Sequence, residues 1–212
     1  MENKKKYITN GWLAVVIVAL ILIADQIIKI EVKTNMTLGE AIRITDWFYI
    51  EFIENNGMAY GMTFFNKLVL SLFRTFAIGA ISWYIWRVVK TGIFSRGYVV
   101  CLAMILAGAA GNLIDCLFYG LIFDASTPFC VADFVPFGTG YSTFLHGKVV
   151  DMFYFPIIRT TYPDWMPMVG GDDFVFFSPI FNFADSCISV GVAVLLLFFR
   201  KDLEQMSLAW KK

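Results

Sequence analysis

Four long apolar runs dominate this chain, at residues 11–30, 68–89, 97–119 and 182–199. Each is close to the roughly 20 residues a helix needs to cross the hydrocarbon core of a bilayer. Apolar side chains surround each run instead of forming one stripe, the pattern that lipid contact demands. Backbone polar groups at that depth must pair within their own segment, so the runs are expected to be transmembrane helices. The 58% share of hydrophobic residues, against about 45–50% in an ordinary soluble domain, agrees. Lys4, Lys5 and Lys6 precede the first run as in a secretory signal peptide, but no A-x-A-like site follows, so that helix is expected to be retained.

Basic residues concentrate in cytoplasmic loops, and here they fall before the first run, between the second and third, and after the fourth. Both termini are therefore expected in the cytoplasm. The opposite face receives residues 31–66 and 120–181, which hold eleven carboxylates. With Lys+Arg and Asp+Glu at 17 each, the chain lacks the basic surface that nucleic-acid binding requires. Cys101, Cys116, Cys130 and Cys187 are scattered without a C-x-x-C pair, and read as buried thiols instead of a disulfide framework or zinc site.

The outer segments are rich in aromatic and β-branched residues and should fold. Residues 42–53 and 152–158 have the content of strands, the latter ending before Pro163, Pro167 and the Gly170-Gly171 pair. A small outer sheet is expected, and Leu203, Met206 and Trp210 suggest a short interfacial helix in the tail. The fold class is a single membrane α-helical domain over residues 1–212, with four transmembrane helices and a small β-containing outer subdomain.

Ionisable residues in spanning helices are functional candidates. Asp25 and Lys29 stand four residues apart, a spacing that also fits a structural ion pair. Arg74 is expected to snorkel outward. Asp115 ends the third run and Asp185 begins the fourth, so Asp25, Asp115 and Asp185 gather at one membrane depth, and Asp151 joins them if its apolar neighbours dip into the interface. Such clustering suits a hydrolytic site, where two close carboxylates share a proton and work as acid and base. There is one histidine, His146, and neither H-E-x-x-H nor G-x-S-x-G.

Four blocks together resemble the lipoprotein signal peptidase family, signal peptidase II, aspartic peptidases of the bacterial inner membrane: ADQIIK, ENNGMAYGM, GNLID, and the pair KVVDMF and FNFAD. The resemblance spans residues 20–200. It implies catalytic roles for Asp151 and Asp185, and substrate-groove roles for Asp25, Lys29, Asn55, Gly57, Asn112, Asp115 and Asn182, with Ala59 and Tyr60 completing the second block. It implies cleavage of diacylglyceryl-modified prolipoproteins before the lipidated cysteine, no metal or organic cofactor, membrane lipids as surroundings, a monomer, and an active site toward the outer face. The chain departs from the pattern at Cys116, where the family commonly has Arg, a contact that Arg74 or Lys148 could supply. It also carries extra outer sequence at residues 118–147 and 156–179, the former a candidate cover for the site. Asp124 and Asp133 are the other carboxylates in the first stretch, but neither has a V-V-D context. The rival reading is a proton-coupled transporter using the intramembrane aspartates, which predicts inverted repeats or broken helices that the sequence does not display.

The orientation is checked by cysteine labelling in intact cells. Residue 5, Gly92 and residue 212 should be shielded and Asp46 and Asp164 accessible from outside; a shielded Asp164 would separate the carboxylates from the outer face.

Overall fold

A computed structural model of the chain describes residues 2–55 and 67–206. Helix α1, Glu2–Asn35, is followed by strands β1, Ala41–Thr45, and β2, Phe48–Asn55. Helices α2, Lys67–Thr91, and α3, Arg96–Ile114, come next, and α3 runs through a π-helical turn, Asp115–Tyr119, into the short α4, Gly120–Ile122. Strands β3, Val149–Tyr154, β4, Ile158–Thr161, β5, Asp173–Phe176, and β6, Ile180–Phe181, lead to α5, Phe183–Phe198, and α6, Arg200–Glu204.

Among the described residues three helices, Thr9–Asn35, Lys67–Thr91 and Arg96–Ile122, are long and apolar enough to cross a membrane by length and composition. α5 is equally apolar but has 16 residues, roughly 24 Å at 1.5 Å per residue, and starts from strand β6. α1 outruns the expected 11–30 span at its C-terminal end because Lys29 and Lys33 find partners on the protein side and give the helix no reason to stop. The tail is helical at α6, where the Asp202 carboxylate accepts from the N–H and hydroxyl of Ser95, capping α3 from across the chain. Trp210 lies outside the described residues. Cys101, Cys116 and Cys187 are buried thiols as expected, but Cys130 is exposed: it sits in an irregular turn where its N–H donates to the Thr127 hydroxyl, not in an apolar helix.

α3 is the central helix, packed on α5, α1 and α2. Small residues let it approach both neighbours closely, since a Cβ on Gly108 would lie 2.3 Å from the Ala184 carbonyl oxygen of α5 and one on Gly111 would lie 2.6 Å from Asp25 Oδ2 of α1. The antiparallel sheet has strand order β1-β2-β3-β6, and β4 and β5 form a separate hairpin. Phe52, Val150 and Met152 point from the sheet into a core with Val32 and Met36 of α1 and Tyr119 and Phe123. Side chains alternate along β3, so with Val150 and Met152 inside, Asp151 is delivered to the other face. Between Ile50 and Ile53 β2 carries one extra residue against β3, a bulge that brings Ile53 opposite Asp151.

Segment 118–147 is docked, not free-standing. Its backbone bonds include Leu38 N–H to the Thr127 carbonyl, Ser142 N–H to Gly120 and Gly147 N–H to Cys116. Gly147 approaches so closely that a Cβ would lie 2.1 Å from the Asp115 carbonyl oxygen. The π-helical turn exposes its carbonyls to this segment, a use typical of such turns near sites.

The α3–α5 contact predicts that Gly108→Ala, with no room for its methyl against the Ala184 backbone, destabilises the folded protein by about 1–3 kcal/mol. The check is a lowered thermal unfolding midpoint of the purified variant in detergent.

Candidate active site

The site begins on one face of α1. Asp25, Lys29 and Lys33 recur every four residues and so stack on the side turned toward α3 and the sheet. The Lys29 ammonium lies 2.9 Å from Asp25 Oδ2 and 2.9 Å from Asp115 Oδ2, and all three side chains are 0% exposed. Two anions and one cation in an apolar interior need further donors, and they have them. Gln26 Nε2 donates to Asp115 Oδ1 at 3.0 Å, the Val150 N–H donates to Asp115 Oδ2, and the Ala184 N–H of α5 donates to Asp25 Oδ1 at 3.0 Å. The sequence pairing of Asp25 with Lys29 is thus real, and Asp115 completes it.

Lys29 also donates to Asn112 Oδ1 at 2.8 Å, which orients that amide and turns its NH2 to Asp185 Oδ1 at 2.7 Å. Asn182 is the N-cap of α5: its Oδ1 accepts from the Asp185 N–H at 2.9 Å, and Asp185 answers by accepting from the Asn182 N–H, a capping box. The Asn182 NH2 donates to Asn112 Oδ1 at 3.0 Å and to Asp151 Oδ1 at 2.7 Å. From β2, Asn55 Nδ2 donates to Asp151 Oδ2 at 3.2 Å. The aspartates of β3 and α5 therefore meet across two buried asparagines, Asp151 buried and Asp185 half-buried. Burial, and then the Asp185 carboxylate, push the Asp151 carboxyl up to about 7.

Of the residues singled out in the sequence, Asp25, Lys29, Asn55, Asn112, Asp115, Asp151, Asn182 and Asp185 are joined in this one network. Gly57, Ala59 and Tyr60 lie outside the described residues. Asp124 and Asp133 are exposed and bond to each other's segments, the Asp133 N–H reaching Asp124 Oδ1 at 2.8 Å. His146 bonds within its own turn, to Thr143 and the Phe144 carbonyl. Arg74 is half-buried and its Nη1 reaches the Cys116 Sγ at 3.4 Å, where the small thiol leaves both space and an acceptor beside the π-helical turn. Lys148 instead pairs with Glu54 at 2.9 Å. Gln26, Lys33 and Glu54 were not anticipated; the i, i+4, i+8 continuation from Asp25 through Lys33 was the available signal for one of them. Among the described residues no three His, Cys, Asp or Glu side chains converge as a metal site.

Known proteins share this framework. The family model for signal peptidase (SPase) II matches residues 17–200. The chain belongs to the signal peptidase II family. A lipoprotein signal peptidase of Porphyromonas gingivalis is 46% identical over 194 residues, 92% of this chain and 85% of that protein. Another, from Amoebophilus asiaticus, is 35% identical over 195 residues, 89% of this chain and 78% of its own length. Two solved bacterial membrane enzymes share the fold, with TM-scores of 0.61 and 0.60 at 21% and 22% identity; each match covers 90% of this chain, and 89% and 94% of theirs. As a signal peptidase II, the chain is an aspartic endopeptidase that removes signal peptides from lipoproteins.

Lys29→Met leaves Asp25 and Asp115 facing each other without their cation. A buried ion pair broken on one side typically loses about 3–5 kcal/mol, so this signal peptidase II variant should show a sharply reduced folded yield from membranes and a lower unfolding midpoint. A variant as stable as the parent would remove Lys29 from the centre of the network.

Proposed function

We propose that Asp151 and Asp185 are the catalytic pair, and that they cut diacylglyceryl-modified prolipoproteins immediately before the lipidated cysteine. The observation that carries this reading is the meeting of two carboxylates from separate elements on one buried residue, Asn182, at the N-terminus of an apolar helix: Asp151 Oδ1 accepts from its side-chain NH2 and Asp185 Oδ2 from its backbone N–H. Asp151 holds the shared proton: burial disfavours its charge, and its longer contact, to Asn55 through Oδ2, leaves that oxygen able to carry it. Asp185 faces the N–H groups at the start of α5, where negative charge is favoured.

In the proposed reaction the Asp185 carboxylate takes a proton from water as the water oxygen attacks the scissile carbonyl carbon. Asp151 donates its hydrogen bond to the carbonyl oxygen as charge develops there. The tetrahedral intermediate collapses with the C–N bond breaking and a proton passing to the leaving amine of the cysteine. Asn55, Asn112 and Asn182 border the substrate groove, Asp25, Lys29 and Asp115 brace it from beneath, and Arg74 supplies beside Cys116 the guanidinium that the family commonly carries. Four spans, cytoplasmic termini and a site toward the outer face of the inner membrane complete the reading. α5 is short because its outer end stops at the site, and the substrate's acyl chains remain in the bilayer while the peptide bond reaches the carboxylates.

Asp151→Asn and Asp185→Asn keep the shape but cannot exchange the proton, so each should lower cleavage of a lipid-modified prolipoprotein by ~10³-fold or more with normal membrane insertion. Near-normal cleavage by Asp151→Asn would reject the pair. The raised Asp151 carboxyl keeps its proton up to about pH 7, so cleavage by the parent should fall on the alkaline side as pH rises through about 7. Activity should persist in EDTA and phenanthroline.

A further inference from the structure

A second buried ion cluster lies one turn of α1 beyond the first and takes no part in the chemistry above. Its centre is Glu54, the residue before Asn55. Glu54 Oε1 accepts from Lys33 Nζ at 2.6 Å and from the Ser126 hydroxyl at 3.0 Å, and Oε2 accepts from Lys148 Nζ at 2.9 Å. Lys33 also donates to Ser126 at 2.8 Å and lies 5.0 Å from the Tyr141 ring centroid. The Tyr141 hydroxyl in turn accepts from the Lys148 N–H at 2.6 Å. The side chains of Lys33 and Glu54 are 0% and 2% exposed, while that of Lys148 is 39% exposed.

We infer that Glu54, with Lys33 and Lys148, is a positioning residue for Asp151, fixing the β2–β3 pairing and the docked segment so that Asn55 and Asp151 meet. The inference rests on the reading of Asp151 as a catalytic group. The leverage is in the connectivity: one carboxylate ties α1, β2, the segment bearing Ser126 and Tyr141, and the residue that leads into β3. Glu54 and Asn55 point to opposite faces of β2, so the tie on the inner face sets where the Asn55 amide presents itself on the outer one. The bulge next to Ile53 makes the tie necessary, because a strand carrying an extra residue is not held in register by its ladder alone. Burial alone would raise the proton affinity of Glu54, but Lys33 and Lys148 outweigh it and hold the carboxylate below its usual range.

The cluster also sets charge near the site. Asp151 faces Asp185 from α5 and Lys29 from α1, besides the amides of Asn55 and Asn182. Glu54 faces Lys33 and Lys148, with Asp124 and Lys67 the next charges around them. Removing the Glu54 charge leaves two cations uncompensated and eases loss of the Asp151 proton, whereas removing the Lys148 charge does the reverse.

The test measures kcat, KM, the pH–rate profile and the unfolding midpoint of the full chain in detergent, on a diacylglyceryl-modified prolipoprotein. Glu54→Gln should lower kcat by ~10-fold with KM within ~2-fold, since a displacement of about an ångström at the reacting groups can cost ~100-fold and a partial one correspondingly less, and should move the alkaline limb ~0.5 unit to lower pH. Lys148→Met keeps the Lys33–Glu54 pair, should lower kcat by ~3-fold, and should move the limb to higher pH. Opposite displacements are the signature that loss of folded protein would not produce. Unchanged kcat and limb in both variants, or displacements of the same sign, with Asp151→Asn inactive, would overturn the inference and leave the catalytic reading standing. If Glu54→Gln does not fold, Lys148→Met decides by the same criteria. An active Asp151→Asn would instead reject the catalytic reading, and the inference with it.

Discussion

A lysine ammonium held between two carboxylates inside an apolar helix bundle is the constraint on which the remaining geometry depends. Lys29 cannot be buried without Asp25 and Asp115, and they cannot be buried without it, so α1 and α3 are locked in one rotation about their axes. The same ammonium polarises Asn112, whose amide then has one orientation, with its oxygen toward Lys29 and Asn182 and its nitrogen toward Asp185. Asp25 also accepts from the start of α5 and Asp115 from the backbone of β3. One cation thereby places both elements that carry the proposed catalytic carboxylates.

The bilayer explains why so many polar contacts are needed for so small a site. Buried charges cost most in an apolar interior, and each buried donor or acceptor is matched by another from the chain. Asparagines suit this task because an amide offers both donors and an acceptor with no charge of its own. Asn112 and Asn182 use both ends of their side chains, and so transmit orientation from a fixed ion pair to groups that must change protonation.

The long elements were legible in the sequence because runs of about 20 apolar residues admit one structure in a membrane, and α2, α3 and α5 fall within a few residues of the expected limits. The strands at Ala41–Thr45 and Phe48–Asn55 followed from β-branched and aromatic content, whereas the run expected at 152–158 covers only the end of β3, Val149–Tyr154, and the first residue of β4, Ile158–Thr161, because Pro156 has no N–H to continue the ladder. β5 and β6 did not, since each is short and formed by pairing with a distant partner. The π-helical turn at Asp115 was equally hidden: it responds to the close approach of Gly147, a contact between residues thirty or more apart in the chain. Within the site, block order identified the asparagines and aspartates, but nothing local marked Glu54, whose partners come from α1, the docked segment and the lead into β3. The contact of Arg74 with a thiol on α3's continuation was likewise not legible, since it joins side chains 42 residues apart.

The central claim is that Asp151 and Asp185 act as one unit, and a double-variant comparison addresses it most directly. Cleavage rates of Asp151→Asn, Asp185→Asn and Asp151→Asn/Asp185→Asn are compared on the same lipid-modified substrate, normalised to folded enzyme. Two groups that jointly hold and pass one proton predict a double variant hardly slower than either single variant. Losses that multiply, with the double variant slower by the product of the two single effects, would contradict the account and make the two aspartates independent contributors.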